Sequence, residues 1–281
     1  MPDQNSRQGR IGTAGGESKG GGGGGGGGGK SASWIIRGFR HGRRTASPSV
    51  LGRGDLATSL LLIFPLFLAY EVGVMFAPAQ NGVDFVTRNL FALLGGSRSR
   101  YLLAHAIMAV VFVLLLAWLK RKNKIESGRF IPVLLESTLW ALTLGSLIIF
   151  VMRRVLGIEP SLAMPPAGST VERIANGIVL SLGAGVHEEL VFRLGFCAGG
   201  AALMRALGAS HAIAVVTAFL VSSLAFSAAH HIGHFGDPWV LSVFVYRFLA
   251  GLVFAALYYF RSLAHATYTH ALYDLYVLVL R

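Results

Sequence analysis

The stretch most suited to chemistry is residues 184–196, AGVHEELVFRLGF, where a histidine, two glutamates and an arginine interrupt an apolar run. Glu189 and Arg193 are four residues apart, so on a helix they share a face, with the acid first, the favourable order for an ion pair. Glu188 points about 100° away from Glu189 and lacks that partner. The spacing predicts that Glu189 holds Arg193 and that Glu188 is available for chemistry.

Two more polar sites lie in later apolar runs. Phe226 precedes His230 by four residues, and His270 precedes Asp274 by four, so each pair shares a helix face. A single histidine at a helix end is usually a capping or headgroup residue, and a single intramembrane ion cluster is often structural. Three polar groups in three separate runs favour one assembled site.

The composition is that of a membrane protein. Of 281 residues, 53% are hydrophobic and 14% charged, with a mean hydropathy of +0.59, whereas soluble domains carry about a quarter charged residues. Lipid tolerates no unpaired backbone groups, so apolar runs near the length of a bilayer predict helices. The predicted fold class is an all-α polytopic transmembrane bundle of about seven spans, with the site in the last four. The seven runs are 56–76, 101–119, 131–152, 174–196, 212–229, 239–260 and 263–280.

Composition also divides the chain into two predicted parts. Residues 1–54 are basic and glycine-rich and cannot bury enough surface to offset chain entropy, which predicts a disordered tail. Residues 55–281 are predicted as one membrane domain. The net charge of +12 lies largely in the tail and beside apolar runs, as in residues 120–129, and so indicates orientation and not nucleic-acid binding. We expect a cytoplasmic N-terminus.

The depth of each site can be compared by counting along the helices. With a turn near residues 208–210, Glu188 and His230 each lie about twenty residues from the turn, and so lie level at 1.5 Å per residue. His270 lies only about eight residues from the next turn at 1.5 Å per residue, which predicts a tilted or broken sixth helix. Close helix packing near the first site is expected from a group of glycines: Gly183, Gly185, Gly195, Gly199 and Gly200.

Together the three sites resemble the motifs of the CPBP intramembrane endopeptidases, which include type II CAAX prenyl endopeptidases and bacteriocin-processing or immunity proteins. The family motifs E-E-x-x-x-R, F-x-x-x-H and H-x-x-x-N occur here in order, each within an apolar run. The similarity covers about residues 174–280, a protease core. The matching residues are Glu188, Glu189 and Arg193; Phe226 and His230; and His270 with Asp274 in place of asparagine.

The resemblance implies an endopeptidase that uses glutamate- and histidine-activated water on a membrane-anchored or C-terminally tagged substrate. It implies that Glu188 is the general base and that His230 holds and polarises the water. His270 would stabilise the oxyanion, with Asp274 beside it, while Glu189, Arg193 and Phe226 give structural support. An ionised carboxylate repels an oxyanion, so Asp274 is either protonated or orients His270 in its protonated form, and we favour the second.

Metal dependence is a separate question. Glu188, His230 and His270 are possible zinc ligands, and family members are often labelled metalloproteases. However, VHEEL lacks the second histidine of an H-E-x-x-H helix, and the adjacent His187 and Glu188 point different ways. We therefore expect a metal-free glutamate mechanism without a cofactor, with zinc as the alternative.

Two other functional classes share these features. A non-proteolytic immunity or scaffold protein would be free to lose any of the three sites. A proton-coupled transporter ordinarily carries paired repeats, and no internal repeat is visible. The expected partners are membrane lipid and a membrane-anchored peptide or protein, and the expected location is a bacterial inner membrane. The pattern predicts no oligomeric state.

Overall fold

The computed structural model describes residues 56–77, 81–84, 86–122, 128, 130–161, 169–232 and 236–280. Within these ranges the regular elements are all helices, with no strand, which confirms the predicted all-α class. The predicted disordered tail, residues 1–54, lies outside the described residues.

The described part of the chain contains nine α-helices: α1 (Leu56–Gly73), α2 (Val86–Leu93), α3 (Arg98–Arg121), α4 (Phe130–Val151), α5 (Thr170–Gly183), α6 (Gly200–Ala206), α7 (His211–Ala229), α8 (Leu241–Phe260) and α9 (Leu263–Leu275). The π-helix Ala184–Gly199 continues α5 and leads directly into α6, so residues 170–206 form one long helix. Single π-helical turns extend α4 over Met152–Leu156 and α9 over Tyr276–Leu280.

Five of these helical segments are long and apolar enough to cross a membrane. The other two expected runs, 174–196 and 263–280, are also helical, but each combines a short α-helix with a π-helical stretch. Large apolar side chains cover the outer faces of the spans, and such a surface suits lipid and not water. The protein is an integral membrane protein. The five segments are Leu56–Gly73, Arg98–Trp118, Phe130–Leu156, His211–Ala229 and Leu241–Phe260.

The π-helix contains the most polar part of the bundle. π-Helices are usually single turns and frequently mark functional sites, whereas this one extends over 16 residues. It buries four ionisable side chains at the centre of the protein: His187, Glu188, Glu189 and Arg193. Burying so many polar groups is costly unless each has a partner, so their surroundings decide what they do.

Two glycines let neighbouring helices pack directly on the long helix. A Cβ atom at Gly183 would lie 2.4 Å from the ring of Tyr70 on α1, and one at Gly185 would lie 2.6 Å from the Cβ of Ala271 on α9. The expected close packing is therefore confirmed at these two positions. It is wrong at three others, where an added Cβ would meet nothing nearer than 3.7 Å: Gly195, Gly199 and Gly200.

The last hairpin brings α9 against the long helix. α8 is a continuous α-helix from Leu241 to Phe260, so of the two expected alternatives, a tilted or a broken sixth helix, the broken one is wrong. α9 begins at Leu263 and packs against the long helix, α4 and α8. Ala271, which contacts Gly185 closely, is the residue next to His270. This contact therefore places His270 beside the long helix.

Candidate active site

Three helices bring the predicted catalytic side chains together. Glu188 lies on the π-helix, His230 at the C-terminal end of α7 and His270 on α9. The Oε2 atom of Glu188 lies 3.5 Å from Nε2 of His230 and 3.9 Å from Nε2 of His270. Glu188 and His270 are buried, whereas the His230 side chain is 25% exposed. The site is therefore most accessible at His230.

The two carboxylate oxygens of Glu188 have different surroundings. Oε1 accepts a 2.7 Å hydrogen bond from Nδ2 of Asn81, which lies 107 residues earlier in the chain. Oε2 has no hydrogen-bond partner among the described residues. Asn81 is itself held in place, because its Oδ1 accepts from the backbone of Val83 and its backbone N–H donates to the Tyr70 hydroxyl. One oxygen of Glu188 is thus anchored while the other faces the two histidines.

His230 is oriented by the helix that carries it. Its Nδ1 lies 2.8 Å from the backbone carbonyl of Phe226. Because a carbonyl oxygen only accepts, Nδ1 carries the proton and Nε2 is left facing Glu188. The Phe226 ring also makes an edge contact with the His230 ring, with centroids 4.9 Å apart. The four-residue spacing between Phe226 and His230 therefore sets the tautomer of the histidine.

His270 is oriented from another helix. Its Nδ1 donates to Oε1 of Glu189 over 2.8 Å, and its ring stacks on Phe254 with centroids 4.4 Å apart. Its Nε2 then faces Glu188. The Oδ2 of Asp274 lies 3.6 Å from that nitrogen, which is too far for a hydrogen bond. The hydrogen bond that orients His270 thus comes from Glu189, where the sequence had suggested Asp274.

Glu189 also forms the ion pair that its spacing predicts. Its Oε2 lies 3.1 Å from Nε of Arg193, and both side chains are fully buried. The guanidinium lies 4.7 Å from the centre of the Phe226 ring and 5.5 Å from that of Phe254, in cation–π contact. Arg193 therefore balances the charge of Glu189 and packs on the two rings that contact the histidines.

A second buried polar cluster, the His187 cluster, consists of Glu71, Asp84 and His187. Nε2 of His187 lies 3.6 Å from Oε1 of Glu71 on α1 and 3.4 Å from Oδ1 of Asp84 in the segment 81–84. Sequence reasoning missed Glu71, Asp84 and Asn81. Glu71 was detectable, since it is an acid inside the first apolar run and intramembrane acids mark functional sites by default.

The spacing of donor atoms tests whether the predicted zinc ligands fit a metal. Among the described residues, one set of three histidine, cysteine or acidic side chains has its donor atoms all within 4.8 Å of one another. That set is the His187 cluster. Glu188, His230 and His270 do not form such a set. As these three side chains are placed, their donor spacing does not fit a shared metal ion.

The fold and site define a polytopic helical membrane protein in which a buried glutamate meets two histidines from other helices. Residues 170–276 match the family model of type II CAAX prenyl endopeptidase Rce1-like proteins. This match confirms the resemblance to CPBP intramembrane endopeptidases over residues 170–276. The match includes every residue of the three motifs and excludes α1 to α4. Searches of the curated proteins and of the solved structures return no match.

Proposed function

We propose that the protein is an intramembrane endopeptidase that hydrolyses a peptide bond in or next to the membrane, using water activated by Glu188 and His230. The observation that carries the proposal is the environment of the Glu188 Oε2 atom. This atom has no hydrogen-bond partner among the described residues, and it faces Nε2 of both His230 and His270. The family of the matched domain, whose members are endopeptidases, supports the same reaction.

Glu188 and His230 are suited to hold the attacking water. With the proton of His230 on Nδ1, its Nε2 and the Glu188 Oε2 are two acceptors 3.5 Å apart. One water can donate a proton to each. As its oxygen bonds to the substrate carbonyl carbon, Glu188 takes one proton, and it returns this proton to the leaving nitrogen when the C–N bond breaks. Such positioned proton transfer contributes about 10² to 10⁴ in rate.

His270 is suited to stabilise the oxyanion formed in that attack. Its Nδ1 is engaged by Glu189, so a proton on Nε2 points toward Glu188 and the reacting carbonyl. One positioned donor of this kind contributes about 10² to 10³ in rate. Glu189 is neutralised by Arg193, which makes it a positioning residue and leaves Glu188 as the base. We assign Asp274 a lesser positioning role through His270.

The substrate we propose is a membrane-anchored or C-terminally tagged peptide or protein. The partial exposure of His230 at the end of α7 supports entry of the scissile bond from that side. The basic residues Lys120 and Arg121 in the last turn of α3 support the proposed cytoplasmic N-terminus. We propose a mechanism without a cofactor; the donor spacing of Glu188, His230 and His270 supports the absence of a metal ion shared by these three side chains.

Substitution of Glu188 by glutamine tests the proposal. Glu188→Gln keeps the shape of the side chain and an oxygen for Asn81, but it removes the base. The experiment compares the termini of membrane and secreted proteins from cells that express the wild type or the variant. We expect uncleaved membrane-anchored substrate to accumulate in the variant, at unchanged levels of inserted protein.

The matched control is Glu172→Gln, which changes an exposed glutamate of the same long helix. It should leave every cleavage product at the wild-type level. Cleavage by Glu188→Gln at the wild-type rate would refute the assignment of Glu188 as the base.

A further inference from the structure

The surroundings of His187 differ from those of an ordinary paired histidine. Its side chain is 2% exposed, and neither ring nitrogen forms a hydrogen bond with a described residue. Nε2 faces Glu71 at 3.6 Å and Asp84 at 3.4 Å. A protonated imidazole that simply pairs with a carboxylate approaches it closely, as His270 approaches Glu189 at 2.8 Å. His187 instead lies almost equally far from two carboxylates.

These separations match those between donor atoms around one metal ion. Zinc binds nitrogen and oxygen ligands at about 2.0 to 2.2 Å, so two donors at corners of a tetrahedron lie about 3.3 to 3.6 Å apart. All three donor atoms of the His187 cluster lie within 4.8 Å of one another. One imidazole with two carboxylates is a donor set that zinc accepts, and three protein ligands leave a fourth position for water.

Neighbouring side chains hold the two carboxylates in place. Oε2 of Glu71 accepts from Oγ1 of Thr87 at 3.0 Å and from the hydroxyl of Tyr101. Asp84 accepts from the Tyr70 hydroxyl through Oδ2 at 2.7 Å and from the Thr87 backbone through Oδ1 at 2.9 Å. The Oε1 atom of Glu71, which faces His187, has no hydrogen-bond partner among the described residues. Outer hydrogen bonds of this type orient metal ligands.

The charge of the cluster also favours a cation. Both carboxylates of the cluster are buried, and carboxylates bind metal ions in their deprotonated form. A buried carboxylate needs compensating positive charge. Among the described residues, the nearby ionisable groups able to supply it are His187 itself and His105, whose Nε2 lies 3.6 Å from Oε2 of Glu71.

We propose that Glu71, Asp84 and His187 bind a divalent metal ion of the zinc type, at a site distinct from the catalytic side chains. The ion joins α1, the segment 81–84 and the π-helix. Because Asn81 of that segment donates to Glu188, the ion also holds the support of the catalytic carboxylate in place. Metal binding is measured directly, so this proposal stands or fails independently of the proteolytic function.

Metal content and thermal stability of the full-length protein in detergent test the site. The protein is treated with EDTA, dialysed and titrated with Zn²⁺, and bound zinc is measured by mass spectrometry and by competition with a zinc indicator. We expect one zinc per chain and a higher unfolding temperature with zinc than with EDTA. This comparison needs no variant, so it is independent of any folding defect.

Near-isosteric variants locate the ion. Asp84→Asn and His187→Gln each remove one ligand, and we expect zinc affinity to fall by at least about 100-fold, since outer-sphere changes alone cost 10- to 100-fold. Glu172→Gln on the exposed surface and His230→Ala in the catalytic site should both keep the zinc.

Three results would overturn the proposal. Absence of stoichiometric zinc, with no thermal shift on its addition, would leave protonated His187 and His105 as the compensating charges. Loss of zinc in His230→Ala but not in Asp84→Asn would place the ion at the catalytic side chains. Equal zinc in all variants would mean adventitious binding.

Discussion

His187 and Glu188 are neighbours in the sequence but belong to two buried clusters of different construction. In the proposed catalytic cluster, which consists of Glu188, Glu189, Arg193, His230 and His270, Arg193 lies 3.1 Å from Glu189, and Glu189 orients His270 through a 2.8 Å hydrogen bond. In the His187 cluster the carboxylates are held by hydroxyl and amide donors, and the histidine lies 3.4 and 3.6 Å from them. A permanent cation completes the first cluster, whereas the second offers donor atoms to a cation.

The two clusters also draw on different parts of the chain. The proposed catalytic side chains all lie within the family match, residues 170–276. The His187 cluster takes Glu71 and Asp84 from the N-terminal part, outside that match. Asn81 connects the clusters, because it lies in the same short segment as Asp84 and donates to Glu188. The carboxylate of Glu188 is therefore held by a segment that the family match does not include.

The largest effect on stability is expected at Arg193. Arg193→Met keeps much of the side-chain volume but leaves Glu189 charged, buried and without its cation, which costs about 3 to 5 kcal/mol. Unfolding of the purified protein in detergent measures this loss. The His187 cluster should still bind zinc in any folded fraction, because Arg193 takes no part in it.

The control for this variant is Arg205→Met on the same long helix, where the arginine is exposed and donates to the carbonyl of Ala209. Its stability should change by no more than about 0.5 kcal/mol. Equal stability of the two variants would show that the Glu189 and Arg193 pair contributes little to the fold.

A smaller effect, on activity, is expected at the residue that connects the clusters. Asn81→Ala removes a hydrogen bond to a charged group, worth about 1.5 to 3 kcal/mol, so cleavage should slow by roughly 10- to 150-fold. Asn89→Ala on α2, where the side chain is exposed, is the matched control and should cleave normally. Cleavage by Asn81→Ala at the wild-type rate would show that Asn81 does not position Glu188.

The smallest effect is expected at Asp274. Because its carboxylate lies 3.6 Å from His270 and Glu189 supplies the orienting hydrogen bond, Asp274→Asn should slow cleavage by less than about tenfold, or 1.4 kcal/mol. Glu189→Gln should slow it more. Cleavage rates of the two variants on one substrate decide the order, and a larger loss in Asp274→Asn would make Asp274 the main partner of His270.

The parts of the site that could be predicted are those set by local helix geometry. The pairing of Glu189 with Arg193 and the orientation of His230 by Phe226 both follow from a spacing of four residues. The hydrogen bond from Asn81 to Glu188 joins residues 107 apart, and no local pattern indicates it.

The partners of His187 were not predicted from the sequence, for a related reason. The H-E-x-x-H pattern of zinc ligands places a second histidine one helical turn after the first, and that histidine is absent here. The candidate partners of His187 are Glu71 and Asp84, from a different helix and a connecting segment. Ligands that come together from distant segments leave no fixed spacing in the sequence.

The sequence alone determined that the protein is a helical membrane protein, because apolar runs in lipid must form helices. It also determined which polar side chains share a helix face, since that depends only on the helical repeat. The tertiary structure decided which side chains meet across helices: Glu189 with His270, Asn81 with Glu188, and Glu71 with His187. These contacts depend on how closely and in what register the segments pack, and Gly183 and Gly185 allow the close approach of α1 and α9 to the long helix.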